Sequence, residues 1–305
     1  MRNPQRVIAA IAFSAMLVAP AAAQPVALTC PPEAWPLARL TALKTAKFAV
    51  ADANERQSLA LALTACLGDP NPQLRDGVAF EALSVWMRAG QLDRPTLVRL
   101  RDTLMPMLAG GDAQGFRAPF AALVMAEVAR TDRITPWMSP GERDALVLAA
   151  ADFLLDVKDY RAFSDTEGFR HGVAHGADFA LQLALNPSVN KAHLDRLLIA
   201  IAEQVAPRQT VAYHAGEPDR LARPVLFIAQ RGLHTDDEWK AWFAKVLSPA
   251  PLDSWEAAFS SEAGLARRHN TRAFLLSVFA GASPSENTGV RQLLPPVRDG
   301  LKLLP

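Results

Sequence analysis

Of the 305 residues only two are cysteine, Cys30 and Cys66, and no C-x-x-C spacing exists. The common paired-thiolate metal and redox centres are therefore excluded. Two residues are tyrosine and seven are lysine, against twenty-five arginines. No G-x-S-x-G elbow, Walker phosphate loop or H-E-x-x-H helix is present, which removes the familiar signatures of esterases, P-loop nucleotidases and zincins. Ser188 to Lys191 matches S-x-x-K formally, but it follows Pro187, where serine is a natural helix cap. Excess charge is lacking too. The net charge is +1, and removing Arg2 and Arg6 leaves thirty basic against thirty-one acidic residues. Binding to nucleic acid through phosphate charge is not expected.

Long apolar runs are confined to the start. Arg2 and Arg6 precede a run from Val7 to Val18, followed by Ala21-Ala22-Ala23. The run is too short to span a bilayer and has the layout of a cleavable signal peptide, residues 1–23. The expectation is an exported, most naturally periplasmic chain without a transmembrane segment in its mature part. In such a compartment an even pair of cysteines, Cys30 and Cys66, reads as a disulfide fastening the first helix to the second.

Alternating strand patterns are nearly absent and helical periodicity dominates. Candidate helices cover 32–47, 53–67, 72–89, 95–109, 116–130, 140–157, 167–185, 190–205, 218–231, 235–247 and 262–281, punctuated by Asp69 to Pro72, Ser139-Pro140, Asn186-Pro187 and Pro249 to Pro251. A degenerate repeat accompanies them. Leu74-Arg75-Asp76-Gly77-Val78-Ala79 is similar to Phe116 to Ala121 and to Phe169 to Ala174, with weaker echoes at Arg223 and Arg268. Arginines 42, 53, 53 and 45 residues apart fit two-helix units stacked in a solenoid. The fold class is thus all-α, a superhelix of antiparallel helix pairs in one domain, 24–305, with a core at about 30–282 and a tail at 283–305. Inner helices would begin along one edge. The six tryptophans, Trp35, Trp86, Trp137, Trp239, Trp242 and Trp255, would be core.

The segment Gly168 to Asp178, GFRHGVAHGAD, carries the most chemistry. On a helix, His171, His175, Asp178 and Gln182 form a narrow polar seam, while Gly172, Gly176 and Ala180 form a small-residue stripe for close helix approach. Three readings are open. His171 and His175 could ligate a divalent metal such as zinc, with no other cofactor called for. His175 could be a general acid or base oriented by Asp178, in a hydrolase or lyase. The seam could instead only satisfy buried hydrogen bonds. The arginines offer a similar choice. Arg75 with Asp76, Arg117, Arg170 and Arg223, joined by His171 and Glu217, could border a groove for a small anionic ligand or an envelope protein, since helix starts favour anions. Alternatively they could form a ladder with nearby acids such as Asp76, Glu81 and Glu167. Loops around Tyr160 and Tyr213 to Glu217 could cover the site.

The Leu74-Arg75-Asp76 turn with Glu81, Phe116-Arg117, Gly168 to Asp178 and Glu217 to Arg223 together resemble the bacterial domain of unknown function 2785 family, over roughly residues 30–282. The family usually has tryptophan where this chain has Phe169, and serine near Ala118. The arrangement is also similar to HEAT-type repeats, whose inner helices commonly carry arginine and aspartate as structural ladders. The resemblance implies a helical-repeat fold and no particular reaction.

Overall fold

A computed structural model describes residues 29–110 and 113–305. The expected signal peptide lies outside the described residues. The chain runs through α1 (Leu37–Thr45) and α2 (Ala53–Ala62), which tightens into a 3-10 segment, Leu63–Gly68. A short α3 (Pro72–Leu74), a π-helical turn (Arg75–Phe80) and α4 (Glu81–Arg88) follow without interruption. Next come α5 (Arg94–Leu108), α6 (Arg117–Ile134) and α7 (Pro140–Asp156). A two-stranded hairpin, β1 (Phe163–Ser164) and β2 (Gly168–Phe169), leads into α8 (Gly172–Ala184). The chain ends with α9 (Lys191–Val205), α10 (Glu217–Gln230), α11 (Asp236–Val246), a 3-10 turn (Glu256–Ser260), α12 (Glu262–Ala282), α13 (Thr288–Arg291) and α14 (Leu294–Leu303).

Local chemistry sets most of these boundaries. Asp52, Asp93, Asn190 and Ser261 each accept a hydrogen bond from a first-turn N–H of the helix they start. Ser139 with Glu142, and Thr235 with Glu238, form full capping boxes. The helices then pack in two rows. In one, α4, α6, α8, α10 and α12 lie side by side; in the other, α5, α7, α9 and α11 do so, and each row buries the apolar face of the other. No helix among the described residues is long and apolar enough to cross a membrane.

The small-residue stripe of α8 does what its composition suggests. A Cβ on Gly176 would lie 2.6 Å from Leu154 Cδ2 and 3.0 Å from Phe153 Cδ1, so α7 sits directly against it. The opposite side of α8, at Asp178, Leu181 and Gln182, is its more open face.

Several expectations need correction. The helix expected from 167 begins at Gly172, because Gly168 and His171 both take left-handed backbone, φ +72° and +58°. Phe163 pairs with Phe169 and Ser164 with Gly168 instead. The disulfide Cys30–Cys66 forms, but Cys30 precedes α1, so the bond fastens the chain ahead of that helix to the 3-10 segment after α2. Residues 283–305, expected as a C-terminal tail beyond the core, carry α13 and α14. Val290 and Leu294 pack with Ala282, Leu226 and Phe279, and Val297 is fully buried. Five of the six tryptophans are buried, and Trp137 is the partly open one.

Candidate functional site

His171 and His175 come together, but not in an open hollow. Their ring centroids are 5.6 Å apart, edge to face. His171 stacks on Phe169 at 4.7 Å, and Phe169 packs on Phe163 at 4.8 Å, while His175 meets the edge of Phe120 at 4.9 Å. An aromatic column thus runs from the exposed hairpin into the core. Each imidazole faces a carbonyl, which fixes the proton on the facing nitrogen. His171 Nε2 donates to Ala215 O at 2.9 Å, and His175 Nδ1 donates to Pro119 O at 3.2 Å. Burial holds both imidazoles below their ordinary pKa, in His171 despite the Ala215 bond and Glu217, and His175 well below, with His171 and Arg220 adding to the shift. Both are neutral rings near pH 7.

The hollow beside His171, bordered by Tyr160, Tyr213 and Glu217, holds about 10 Å³, room for one water at most. A cleft of about 260 Å³ lies between the start of α6 and the end of α7, and neither imidazole lines it. The tyrosine loops are clasps rather than lids. Tyr213 donates its hydroxyl proton to Gln204 O and its N–H to Asn270 Oδ1, and the Tyr160 hydroxyl lies 3.2 Å from Gln204 Oε1. Glu217, at the first position of α10, accepts from Ala215 N–H at 2.9 Å and stands 3.9 Å from His171 Nε2. Among the described residues no three His, Cys, Asp or Glu side chains converge as metal ligands.

The His175–Asp178 pair expected from the sequence does not form. Asp178 reaches across to α10 and pairs with Arg220 at 2.7 Å. Burial pushes its carboxyl up to about 6, although Arg220 and Arg223 both pull it down. Desolvation therefore outweighs the ion pair. The Nε of Arg220 is buried without a hydrogen-bond partner, and Arg223 is exposed with no ion pair among the described residues. Beside this cluster on α6, Glu127 is paired with Arg88, and Arg133 donates to Gln182 at 3.3 Å.

The remaining arginines divide. Arg75, expected to border a ligand groove, is fully buried. It pairs with Asp76 at 2.7 Å, donates to Asp69 O and Glu167 O, and lies over Phe116 at 4.0 Å. Arg170 is also buried, donating to Glu167 and to Gln114 O. The Arg75 Nη groups and the Arg170 guanidinium donate to carbonyls and carboxylates of the protein itself, as in the ladder reading, while Arg75 Nε is buried without a partner. Arg117 lines a separate surface cleft with Asp69 and Gln114. Sequence reasoning missed Arg220, which lies 42 residues from Asp178 in the chain and carries no local signal.

Residues 106–279 match the profile of the family described as Protein of unknown function (DUF2785), and the chain belongs to that family. The match covers α6 to α11 and most of α12, so the Arg75-Asp76 turn and Glu81 lie outside it. No curated protein and no solved structure matches the chain.

Proposed function

We propose that the chain is a binding protein for a small anion, held on the α8–α10 face by Arg220 and Arg223. The observation that carries this reading is the Asp178 cluster. A carboxyl raised to about 6 while two guanidiniums pull it down is poorly solvated, and Arg220 still has a buried N–H without an acceptor. Asp178 then acts as an internal counter-ion that a ligand carboxylate or phosphate displaces, completing the bonds one aspartate leaves unmade. The Cys30–Cys66 disulfide supports an oxidising compartment, in line with export.

Calorimetric titration with citrate tests the reading. Arg223→Ala should weaken binding about tenfold, the value of one charge-assisted contact. Asp178→Asn should strengthen it, since the competing carboxylate is gone. Unchanged affinity in Arg223→Ala, or weaker binding in Asp178→Asn, would refute the proposal.

A second reading rests on the same carboxyl. Near 6, Asp178 exchanges its proton close to neutrality, as a general acid or base must. The Asn variant separates the two, because it improves binding but would abolish turnover.

A further inference from the structure

A larger cleft, about 520 Å³, opens where α4 and α6 end and α5 begins. Its volume is in the range of small-molecule sites. The floor is apolar, with Met87, Leu92 and Trp137, and Ile134 stands 57% exposed at its margin. Three guanidiniums line it, Arg88, Arg94 and Arg130, and no carboxylate does.

Only one of the three has its charge balanced by a carboxylate among the described residues. Arg88 lies in the last turn of α4, where a cation suits the helix dipole, and it pairs with the buried Glu127. Arg94 occupies the first position of α5, where the dipole disfavours a cation, and its one bond is to Trp137 O at 2.9 Å. Arg130 has no hydrogen bond or ion pair among the described residues, and its positive neighbour Arg133 has its pKa lowered by burial and by Arg130. Two uncompensated cations over an apolar floor call for a ligand with the complementary halves.

We infer that this cleft is a second site, separate from the Asp178 cluster, that binds a small amphiphilic carboxylate, its acid group at Arg94 and Arg130 and its apolar body over Trp137 and Ile134. A cation–hydrocarbon pairing excludes amphiphilic amines, and the apolar floor distinguishes the ligand from a fully hydrated anion.

Octanoate is the probe, titrated calorimetrically into the full-length protein, with octan-1-ol and octylammonium as matched controls. Octanoate should fill one site, the alcohol should bind at least about tenfold more weakly for want of the charge-assisted contacts, and the amine should not bind. Arg94→Ala and Arg130→Ala should each weaken octanoate about tenfold. Ile134→Glu, which places a carboxylate at the margin, should abolish binding. Far-ultraviolet circular dichroism checks that each variant is folded, and all three positions are open enough to accept the change. Asp178→Asn should leave octanoate unaffected. Equal binding of the alcohol or amine, unchanged affinity in both arginine variants, or no octanoate bound by the folded parent would overturn the inference.

Discussion

Replacing Asp178 by asparagine should stabilise the protein at neutral pH, and the size of the effect follows from the raised carboxyl. An exposed aspartate titrates at 3.8, whereas Asp178 does so at about 6. At about 1.4 kcal/mol per pH unit, that gap makes the ionised form cost about 3 kcal/mol in the folded state relative to the unfolded chain. The sign follows from proton counting. Between the two values the folded protein holds the proton more tightly, so stability falls as pH rises through that window and stays low above it. Asparagine is neutral throughout. The difference in unfolding free energy between Asp178→Asn and the parent should therefore be small near pH 4 and grow to about 3 kcal/mol in favour of the variant by about pH 7.5. Urea titrations at a series of pH values measure it directly. The opposing expectation is that breaking a buried ion pair costs about 3–5 kcal/mol because a charge is stranded. Here the charge left behind is Arg220, whose side chain is 31% exposed and can rehydrate. A variant destabilised by that amount, or a difference that does not change with pH, would refute the argument.

Other outcomes follow from the framework around the site. Asp132 is buried and accepts from Arg143 Nε and Nη2, from the Trp137 and Met138 N–H groups and from Asn186 Nδ2. Burial alone would raise its pKa, but Arg143 and the two backbone donors outweigh it and hold it below the ordinary value. Asp132→Ala should cost about 3–5 kcal/mol at pH 7, read by urea unfolding. Because the pKa is depressed, that contribution is complete above the usual carboxylate range and disappears on acidification below it. Opening the Cys30–Cys66 loop, 36 residues in separation, with a double serine substitution should lower stability by about 4 kcal/mol in the same assay.

The helices were legible because their signals are local. Ser139-Pro140, Asn190 and Thr235 mark starts that the structure places within a residue of expectation. The start of α8 was not, since a two-residue strand pair has no periodicity to read and a left-handed histidine has no sequence mark. At the other end, Pro295-Pro296 look like breakers, yet they occupy the first turn of α14, where a missing N–H costs nothing. The polar seam of α8 was visible as a pattern, but its partners were not. Whether Asp178 meets His175 or Arg220 is decided by how α10 lies beside α8, a fact of packing rather than of spacing. The arginine repeat concealed two fates, because burial of Arg75 and exposure of Arg223 depend on position along the stack.

The two-row architecture has a bearing on how binding would be felt. Within the row of α4, α6, α8, α10 and α12, the α6–α8, α8–α10 and α10–α12 contacts are among the most extensive in the fold, so a disturbance in the middle of the row passes chiefly to the adjacent helices. Among the described residues, one end of the stack is fastened covalently ahead of α1, and the other is closed by the apolar contacts of α13 and α14. A guest seated between the eighth and tenth helices, as proposed, would tighten the middle of the row and would leave both ends as firm, or as loose, as they were.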